Sequence, residues 1–332
     1  KQKTAYEIKE CDWSSDVCSS DLPCTTTYLD ERELRIVAAP PPLVQTGWRK
    51  IDDSSGGGLA SGEMGIVMAL TGRGKTASML SMVVNMLEAG KKVLFFSLDN
   101  VKNRMETRIY ARLTNVPMSQ AVSLPSYHAA VADWFAARSL SPDNLHVRYI
   151  EPRQVSVSML RAMVEQAQDR FGKQDVVFID YGDQVRPDTA KAERRHELGD
   201  LFEDFRSLGK AQDVAVWTAT QANRKNALTE RKFMTFMHSE ENLGEAYAKA
   251  FPAALCVTIN QSEHERDHDP PLCRMGILKA TNGERDVVLP FVSDYKVQHF
   301  YPDDLQLYKK IDRKSTRLNS SRIPLSRMPS SA

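Results

Sequence analysis

Residues 69–76 constrain the fold of this chain more than any other segment. They read ALTGRGKT and lie between an apolar run and a stretch with helical periodicity. Gly72 and Gly74 allow successive backbone N–H groups to face one anion, and the dipole of the following helix attracts negative charge. The segment therefore predicts a loop that binds the phosphates of ATP. The cofactor-binding positions would be Ala69, Gly72, Arg73, Gly74, Lys75 and Thr76.

The side chains at the end of this loop predict two further roles. The ammonium of Lys75 would contact the β- and γ-phosphates, and the hydroxyl of Thr76 would bind Mg²⁺. Ala69 stands where such loops usually have glycine, and one small residue can replace another there. The alternative is a Gly/Lys turn that holds no ligand. The apolar run before the segment and the helical pattern after it favour ATP binding.

The rest of the sequence alternates short apolar runs with helical stretches. This alternation predicts an α/β fold with a mostly parallel, twisted sheet and helices on both faces. We expect strands at 64–70, 92–98, 145–150, 175–179, 214–220, 253–260 and 274–280, with a hairpin partner at 286–291 after the Asn282-Gly283 turn. We expect helices at 75–89, 101–113, 155–171 and 194–211. The later strands are closely spaced, which predicts an antiparallel C-terminal extension.

Three of the predicted strands end in a polar residue. Asp180 follows the apolar run VVFI, and a carboxylate at the end of a strand beside a phosphate loop can hold a water-bridged Mg²⁺. Asp99 follows FFSL, on a strand that we expect to neighbour the phosphate loop. It would be either the general base for hydrolysis or a cap of the next helix. Gln221 follows TAT, and its amide could donate to the γ-phosphate and report its presence to the following loop.

The composition excludes several classes of protein. The chain is 42% hydrophobic and 26% charged, which excludes disordered and collagen-like proteins. Its longest apolar runs fall far short of the roughly 20 residues of a membrane-spanning helix, so we expect a cytoplasmic protein with no membrane contact. The 5 cysteines form no CxxC pair, so the sequence predicts neither a zinc site nor a disulfide framework.

Both ends of the chain resemble translated sequencing adapter. Residues 1–6 can be encoded by AAGCAGAAGACGGCATAC, and the reverse complement of that string, completed at its ends, encodes residues 327–332. Residues 12–22 and 312–321 show the same complementarity. Ser-rich disordered tails would not explain it. We therefore expect residues 1–22 and 312–332 to be artefacts, residues 23–43 to be a linker and residues 44–311 to be an ATPase domain, with natural sequence continuing beyond one or both ends.

The motifs together resemble the RecA-like motor domain of DnaB-type replicative helicases, especially phage-encoded ones. The matching segments are TGW at 46–48, GGGL from Gly56, the ALTGRGKT loop, FSLD, FIDY and TATQANR. The resemblance covers about residues 44–300. It implies an ATPase that uses Mg²⁺ and moves along single-stranded DNA as a homo-hexameric ring. It also implies that Asp99 is the catalytic base, and it suggests a primase and a helicase loader as partners.

The resemblance further implies two DNA-contacting loops, at about residues 186–196 and 223–242. Cations in them would bind backbone phosphates, and the alternative is that these are solvated surface charges. Since 44 Lys+Arg almost balance 43 Asp+Glu, DNA contact has to come from local basic loops rather than from net charge. The candidates are Lys191, Arg194, Arg195, Arg224, Lys225, Arg231 and Lys232.

The chain departs from the pattern of this family in three respects. Asp99 stands where the family usually has Glu, and Thr281 stands where an arginine that acts on the neighbouring subunit is expected. The amino-terminal helical domain is not part of the sequence. Because γ-phosphate charge still calls for a cation, we expect Lys279, assisted by Arg285, to act on the neighbour's ATP. Lys279 shares a strand face with Thr281, and Arg285 follows the turn.

Two other functions remain open at this point. A RecA/RadA-like recombinase or a clock-type ATPase would share the fold, although the TGW and TATQANR segments favour a helicase. A nucleotide-binding assembly module that does not hydrolyse ATP is suggested by Asp99 and Thr281, which both depart from the family pattern.

Overall fold

The computed structural model describes residues 42–120, 124–188, 194–222, 249–285, 287–304 and 306–307, without the side chains of residues 124–127 and 194–197. Within these residues, a 9-stranded sheet has the order β3-β2-β4-β5-β1-β6-β7-β8-β9. The strands are β1 (Met64–Ala69), β2 (Val93–Ser97), β3 (Leu145–Tyr149), β4 (Val176–Asp180), β5 (Ala215–Gln221), β6 (Leu255–Asn260), β7 (Leu272–Ala280), β8 (Val287–Asp294) and β9 (His299–Pro302).

Helices cover both faces of this sheet. They are α1 (Arg49–Ser55), α2 (Lys75–Glu88), α3 (Lys102–Thr114), α4 (Leu124–Ala136), α5 (Val157–Phe171), α6 (Arg194–Gln212) and a short α7 (Glu263–Arg266). One core packs α2, α3 and α4 against the sheet, and a second core packs α5 and α6 against the opposite face. Among the described residues, no helix is long and apolar enough to span a membrane.

The sheet is parallel from β3 to β6 and antiparallel beyond it. β1 lies near the middle and pairs with β5 on one side and β6 on the other, both in parallel. β7, β8 and β9 then follow as antiparallel strands. The predicted strands and helices are therefore confirmed in type and position. The prediction that the later strands are antiparallel is right for β7 onward and wrong for β6, whose partner β1 is reached by a crossover rather than by a hairpin.

The TGW segment joins the start of the domain to its last strands. The Trp48 indole donates to the carbonyl of Phe300 over 3.0 Å and meets the ring of Phe291 edge-on, with ring centroids 5.3 Å apart. The hydroxyl of Thr46 donates to the Asp52 carboxylate over 2.9 Å, which fixes the entry into α1. The segment thus has a packing role that its sequence does not reveal.

Candidate nucleotide-binding site

A cleft of about 370 Å³ lies where the parallel strands β2, β4 and β5 end and α2 begins. Loops at the carboxyl ends of parallel strands are the usual place for a ligand in such sheets. Most of the residues predicted to act on the nucleotide meet in this cleft. They are Gly72, Gly74, Lys75, Thr76, Asp99, Asp180 and Gln221.

The phosphate loop owes its shape to two glycines. Gly72 and Gly74 have φ angles of +76° and +82°, in the left-handed region that favours glycine, and Gly74 is the N-cap of α2. A Cβ on Gly74 would lie 2.5 Å from the ring of Phe300 and 2.8 Å from that of Tyr295. The C-terminal strands therefore press on the loop so closely that only glycine fits at this position.

Lys75 is held at the mouth of the same loop. Its ammonium donates to the carbonyls of Ala69 and Leu70 over 3.2 and 3.3 Å, which orients it along the loop. Ala69 and Arg73, both predicted to bind the cofactor, are buried and do not line the cleft. The Ala69 carbonyl accepts the Lys75 hydrogen bond, and the cofactor-binding roles of Ala69 and Arg73 stay predictions.

Thr76 and Asp180 form the part of the site that suits a metal ion. The Thr76 hydroxyl donates to the Asp180 carboxylate over 2.9 Å. Burial raises the pKa of Asp180 to about 6, while the Thr76 hydrogen bond and the charge of Arg108 lower it. A hydroxyl and a carboxylate are hard oxygen donors, and Mg²⁺ needs only one or two protein ligands beside phosphates and water. A buried carboxylate also gains from a cation beside it, so these two residues fit Mg²⁺.

The strand order corrects one expectation about this site. We expected the strand of Asp99 beside that of the phosphate loop, but β2 is separated from β1 by β4 and β5. The physical reason is that β1 pairs with β5 and β6. Thr76, in the first turn of α2, nevertheless reaches Asp180. Gln221 ends β5, which pairs directly with β1, the strand that precedes the phosphate loop.

Asp99 lies in the cleft but does not cap a helix. The N-cap of α3 is Val101, which makes no side-chain capping hydrogen bond, so the capping interpretation of Asp99 is wrong. Asp99 is exposed at the cleft wall, and its negative charge adds to the raised pKa of Asp180. Its role as the general base stays a prediction.

Two cleft residues have no signal in the sequence. The Asn100 amide donates to Asp180 over 3.3 Å, and the Arg108 guanidinium on α3 donates to Asn100 over 2.9 Å. Burial lowers the pKa of Arg108, while the charge of Asp180 raises it. Arg108 thus brings positive charge to the wall of the cleft. Arg108 lies on a helix, far from Asp180 in the sequence, so only the folded structure shows that Asn100 links the two residues.

Lys279 and Arg285 lie away from the cleft of their own chain. Lys279 pairs with Cys256, near the start of β6, whereas the phosphate loop follows the end of the parallel strand β1. The Lys279 ammonium donates to the carbonyl of Phe251. Burial lowers the pKa of Lys279, and the charge of Arg285 lowers it further, so the two cations lie near each other. Within one chain these residues do not meet the nucleotide site.

The predicted DNA-binding residues fall on parts of the chain with little structural description. Arg194 and Arg195 begin α6, although their side chains are outside the described atoms. Lys191, Arg224, Lys225, Arg231 and Lys232 lie outside the described residues. Their roles therefore stay predictions.

The fold and the site define an α/β nucleotide-binding protein with a phosphate loop. Its sheet places Lys75, Thr76, Asp180 and Gln221 around one cleft. The family model of the DnaB-like helicase C-terminal domain matches residues 44–239, more than half of the chain. The chain belongs to this family, and its fold is that of the RecA-like ATPase domains of DnaB proteins.

Known proteins of this kind are similar at low identity. The replicative DNA helicase DnaB of Helicobacter pylori (strain J99) is 22% identical over 213 residues, which are 63% of this chain and 42% of that protein. A probable plasmid replicative DNA helicase of Chlamydia psittaci is 25% identical over 183 residues, 54% of this chain and 39% of that protein. The chain thus spans less than half the length of these relatives.

Two solved structures share the fold. The ATPase domain of G40P superposes with a TM-score of 0.65 at 16% identity, over 79% of this chain and 91% of that one. A DnaB-like replicative helicase, solved in a study of its interactions with primase, superposes with a TM-score of 0.65 at 17% identity. That match covers 78% of this chain and 62% of the helicase.

Proposed function

We propose that this chain is the ATP-driven motor of a replicative DNA helicase. The observation that carries the proposal is the contact between Thr76 and Asp180 at 2.9 Å, inside a cleft that also holds Lys75 and Gln221. One cleft therefore offers an ammonium for the phosphates, two oxygen ligands for a metal ion and an amide for the γ-phosphate. Family membership supports unwinding as the use of this energy.

The residues of the cleft would divide the work of hydrolysis among them. Thr76 and Asp180 would hold Mg²⁺, which neutralises charge on the phosphates when bound. Lys75 would contact the β- and γ-phosphates from the loop. Asp99 would orient or deprotonate the attacking water, and Gln221 would donate to the γ-phosphate.

Single-stranded DNA would bind through the two basic loops at about residues 186–196 and 223–242. The second of these directly follows Gln221, the cleft residue at the end of β5. A DNA contact at the start of that loop would therefore lie only one or two residues along the chain from Gln221, the proposed partner of the γ-phosphate. Phosphate contacts of this kind are independent of base sequence, as translocation requires.

The active assembly would be a homo-hexameric ring. Lys279 and Arg285 lie at the end of the sheet away from the phosphate loop of their own chain, which supports their use at a neighbour's site. A head-to-tail contact of this kind closes into a ring when the rotation between neighbouring chains divides a full turn evenly. Partners such as a primase and a helicase loader belong to the same proposal. So does a place in the cytoplasm of a bacterium or a phage-infected cell.

A nucleotide-binding assembly module is the second candidate. The observation that favours it is that Lys279 engages the carbonyl of Phe251 within its own chain, rather than being free to act elsewhere. A module of this kind would bind ATP in the same cleft without turning it over. It would assemble through the same surfaces.

Phosphate release and DNA unwinding, measured together, test the proposal. The helicase predicts Mg²⁺-dependent phosphate release that single-stranded DNA stimulates, together with strand separation on a forked duplex. Lys75→Ala should abolish both activities, because the phosphate charge is left uncompensated, and Lys173→Ala on the exposed surface should change neither. Strand exchange without unwinding would indicate a recombinase. Tight ATP binding without phosphate release would indicate the assembly module.

A further inference from the structure

One carboxylate outside the predicted site binds three groups at the back of the cleft. Asp183 lies in the 3-10 turn Gly182–Gln184, directly after β4. Its Oδ2 accepts hydrogen bonds from the Thr220 hydroxyl over 2.9 Å and from the Gln221 backbone N–H over 3.3 Å. Its Oδ1 accepts from the Lys249 ammonium over 2.5 Å. The same ammonium donates to the Thr220 hydroxyl over 3.0 Å, which closes the cluster.

The cluster is largely shielded from water. The side chains of Lys249 and Asp183 are only 10% and 17% exposed, and the Lys249 ammonium lies 5.9 Å from the centre of the Phe202 ring. Removing two charges from water costs free energy that their attraction recovers only in part. In proteins, apolar side chains of similar volume often hold elements together at least as firmly as such a pair does. Stability alone therefore does not explain an ion pair here, whereas a defined position for its partners does.

Those partners belong to the site. Gln221 lines the cleft, and its backbone N–H is bound by Asp183. Asp180, which fits Mg²⁺, ends the strand that leads into the Asp183 turn. Lys249 lies farther along the chain than the loop at about residues 223–242 that is predicted to contact DNA. One carboxylate thus connects the strand that ends at Asp180 with the backbone of Gln221 and with the Lys249 ammonium.

We propose that Asp183 is a positioning residue for ATP hydrolysis. Together with Lys249 it fixes the backbone of Gln221 at the γ-phosphate end of the cleft. This role rests on the proposed function, because it assumes that ATP is hydrolysed in the cleft.

The test uses the full chain with Asp183→Asn and Lys249→Met combined. The double variant keeps the volume of both side chains and leaves no uncompensated charge, so we expect it to fold. Misplacement of Gln221 should lower kcat about ten-fold, with ATP affinity and KM within about two-fold. Asp213→Asn with Lys173→Met, which removes an ion pair that is 63% and 65% exposed, is the matched control and should change nothing.

A mutant cycle with Gln221→Ala separates positioning from general damage. If Asp183 acts through Gln221, the double variant should lower kcat no further in the Gln221→Ala background. Thr220→Val, which removes the bridging hydroxyl but keeps the ion pair, should act in the same direction to a smaller degree. Additive losses, or an unchanged kcat in folded variants, would overturn the role of Asp183. A wild-type chain that neither hydrolyses ATP nor responds to single-stranded DNA would instead overturn the proposed function.

Discussion

The Thr76 hydroxyl and the Asp180 carboxylate, 2.9 Å apart, join two elements that are not neighbours in the sheet. α2 follows β1, Asp180 ends β4, and β5 lies between these strands. The contact therefore depends on the parallel register that brings the ends of all three strands to one edge. The geometry of the predicted metal site is a property of the whole sheet rather than of either motif.

Asp180→Asn should abolish Mg²⁺-dependent hydrolysis without unfolding the domain. Asparagine can still accept the Thr76 hydrogen bond, but it lacks the charge that a metal ion requires. Because burial raises the pKa of Asp180 to about 6, the charged form costs folding free energy above that pH. At neutral pH and without Mg²⁺, the melting temperature should therefore stay the same or rise. Phosphate release against Mg²⁺ concentration checks the first point, and unchanged metal dependence would contradict the assignment.

Gly74→Ala should destabilise the domain more than Gly90→Ala. Both glycines have φ in the left-handed region, +82° and +75°, so both substitutions carry the same backbone cost. A Cβ at Gly74 would also collide with the rings of Phe300 and Tyr295, whereas one at Gly90 would meet no atom within 4 Å. The collision should add about 1–3 kcal/mol, measured by urea denaturation. Equal losses for the two variants would mean that the loop and the C-terminal strands are not packed as described.

Neutralising Arg224, Lys225, Arg231 and Lys232 together should weaken single-stranded DNA binding and flatten its dependence on salt. Each lost phosphate contact releases one counterion fewer, so the slope of log K against log salt should become less negative by about 0.7 per contact. ATP affinity measured without DNA should stay the same. Replacing the exposed Arg49, Lys50, Lys173 and Lys210 by glutamine supplies a control with equal loss of charge. An unchanged salt slope in the test variant would move the DNA path elsewhere.

Lys279→Ala with Arg285→Ala should act on a partner's site. If these cations serve the neighbouring subunit, adding the double variant to wild type should lower ATPase activity by more than dilution alone. The reason is that one altered chain disables a site it does not itself contain. Activity is measured across mixing ratios, in assemblies whose size is verified. Strict proportionality to the wild-type fraction would exclude the role and favour the assembly module.

Removing residues 1–22 and 312–332 should leave stability almost unchanged. Adapter-derived sequence carries little that could pack against a natural domain, so a protein of residues 23–311 should melt within a few degrees of the full chain. The comparison is made by circular dichroism at equal concentration. A protein trimmed instead to residues 64–311 is a useful contrast, since it loses Trp48 and α1, which pack against the C-terminal strands. A large loss of stability in the 23–311 protein would contradict the adapter interpretation.

The elements that could be predicted are those encoded locally. Buried strands such as β1 and β4 are continuous apolar runs, and the glycines and Lys75 of the phosphate loop adjoin one another in sequence. These signals also predicted which strand ends meet in the cleft. The order of the strands was not encoded in the same way, because pairing joins segments far apart in the chain. This is why β2 was wrongly expected beside β1.

Residues that act through distant partners gave no signal. Arg108 reaches the site only through Asn100, and the partners Asp183 and Lys249 lie on separate segments of the chain. Single charged residues of this kind look like ordinary surface charges in a sequence. α1 and β9 were also missed, since both are short and owe their place to contacts such as that of Trp48 with Phe300. Tertiary contacts determined these features.

The antiparallel turn from β6 to β7 affects how many complete active sites an assembly of chains can have. It leaves the phosphate loop and Lys279 at opposite edges of the sheet, so if Lys279 acts on ATP as proposed, a complete site is shared between two chains. An isolated chain would then have no complete site, an open row of chains would have one site fewer than its members, and a closed ring would have as many sites as chains. Specific activity would rise steeply with protein concentration, and the step that closes the ring would complete the last site.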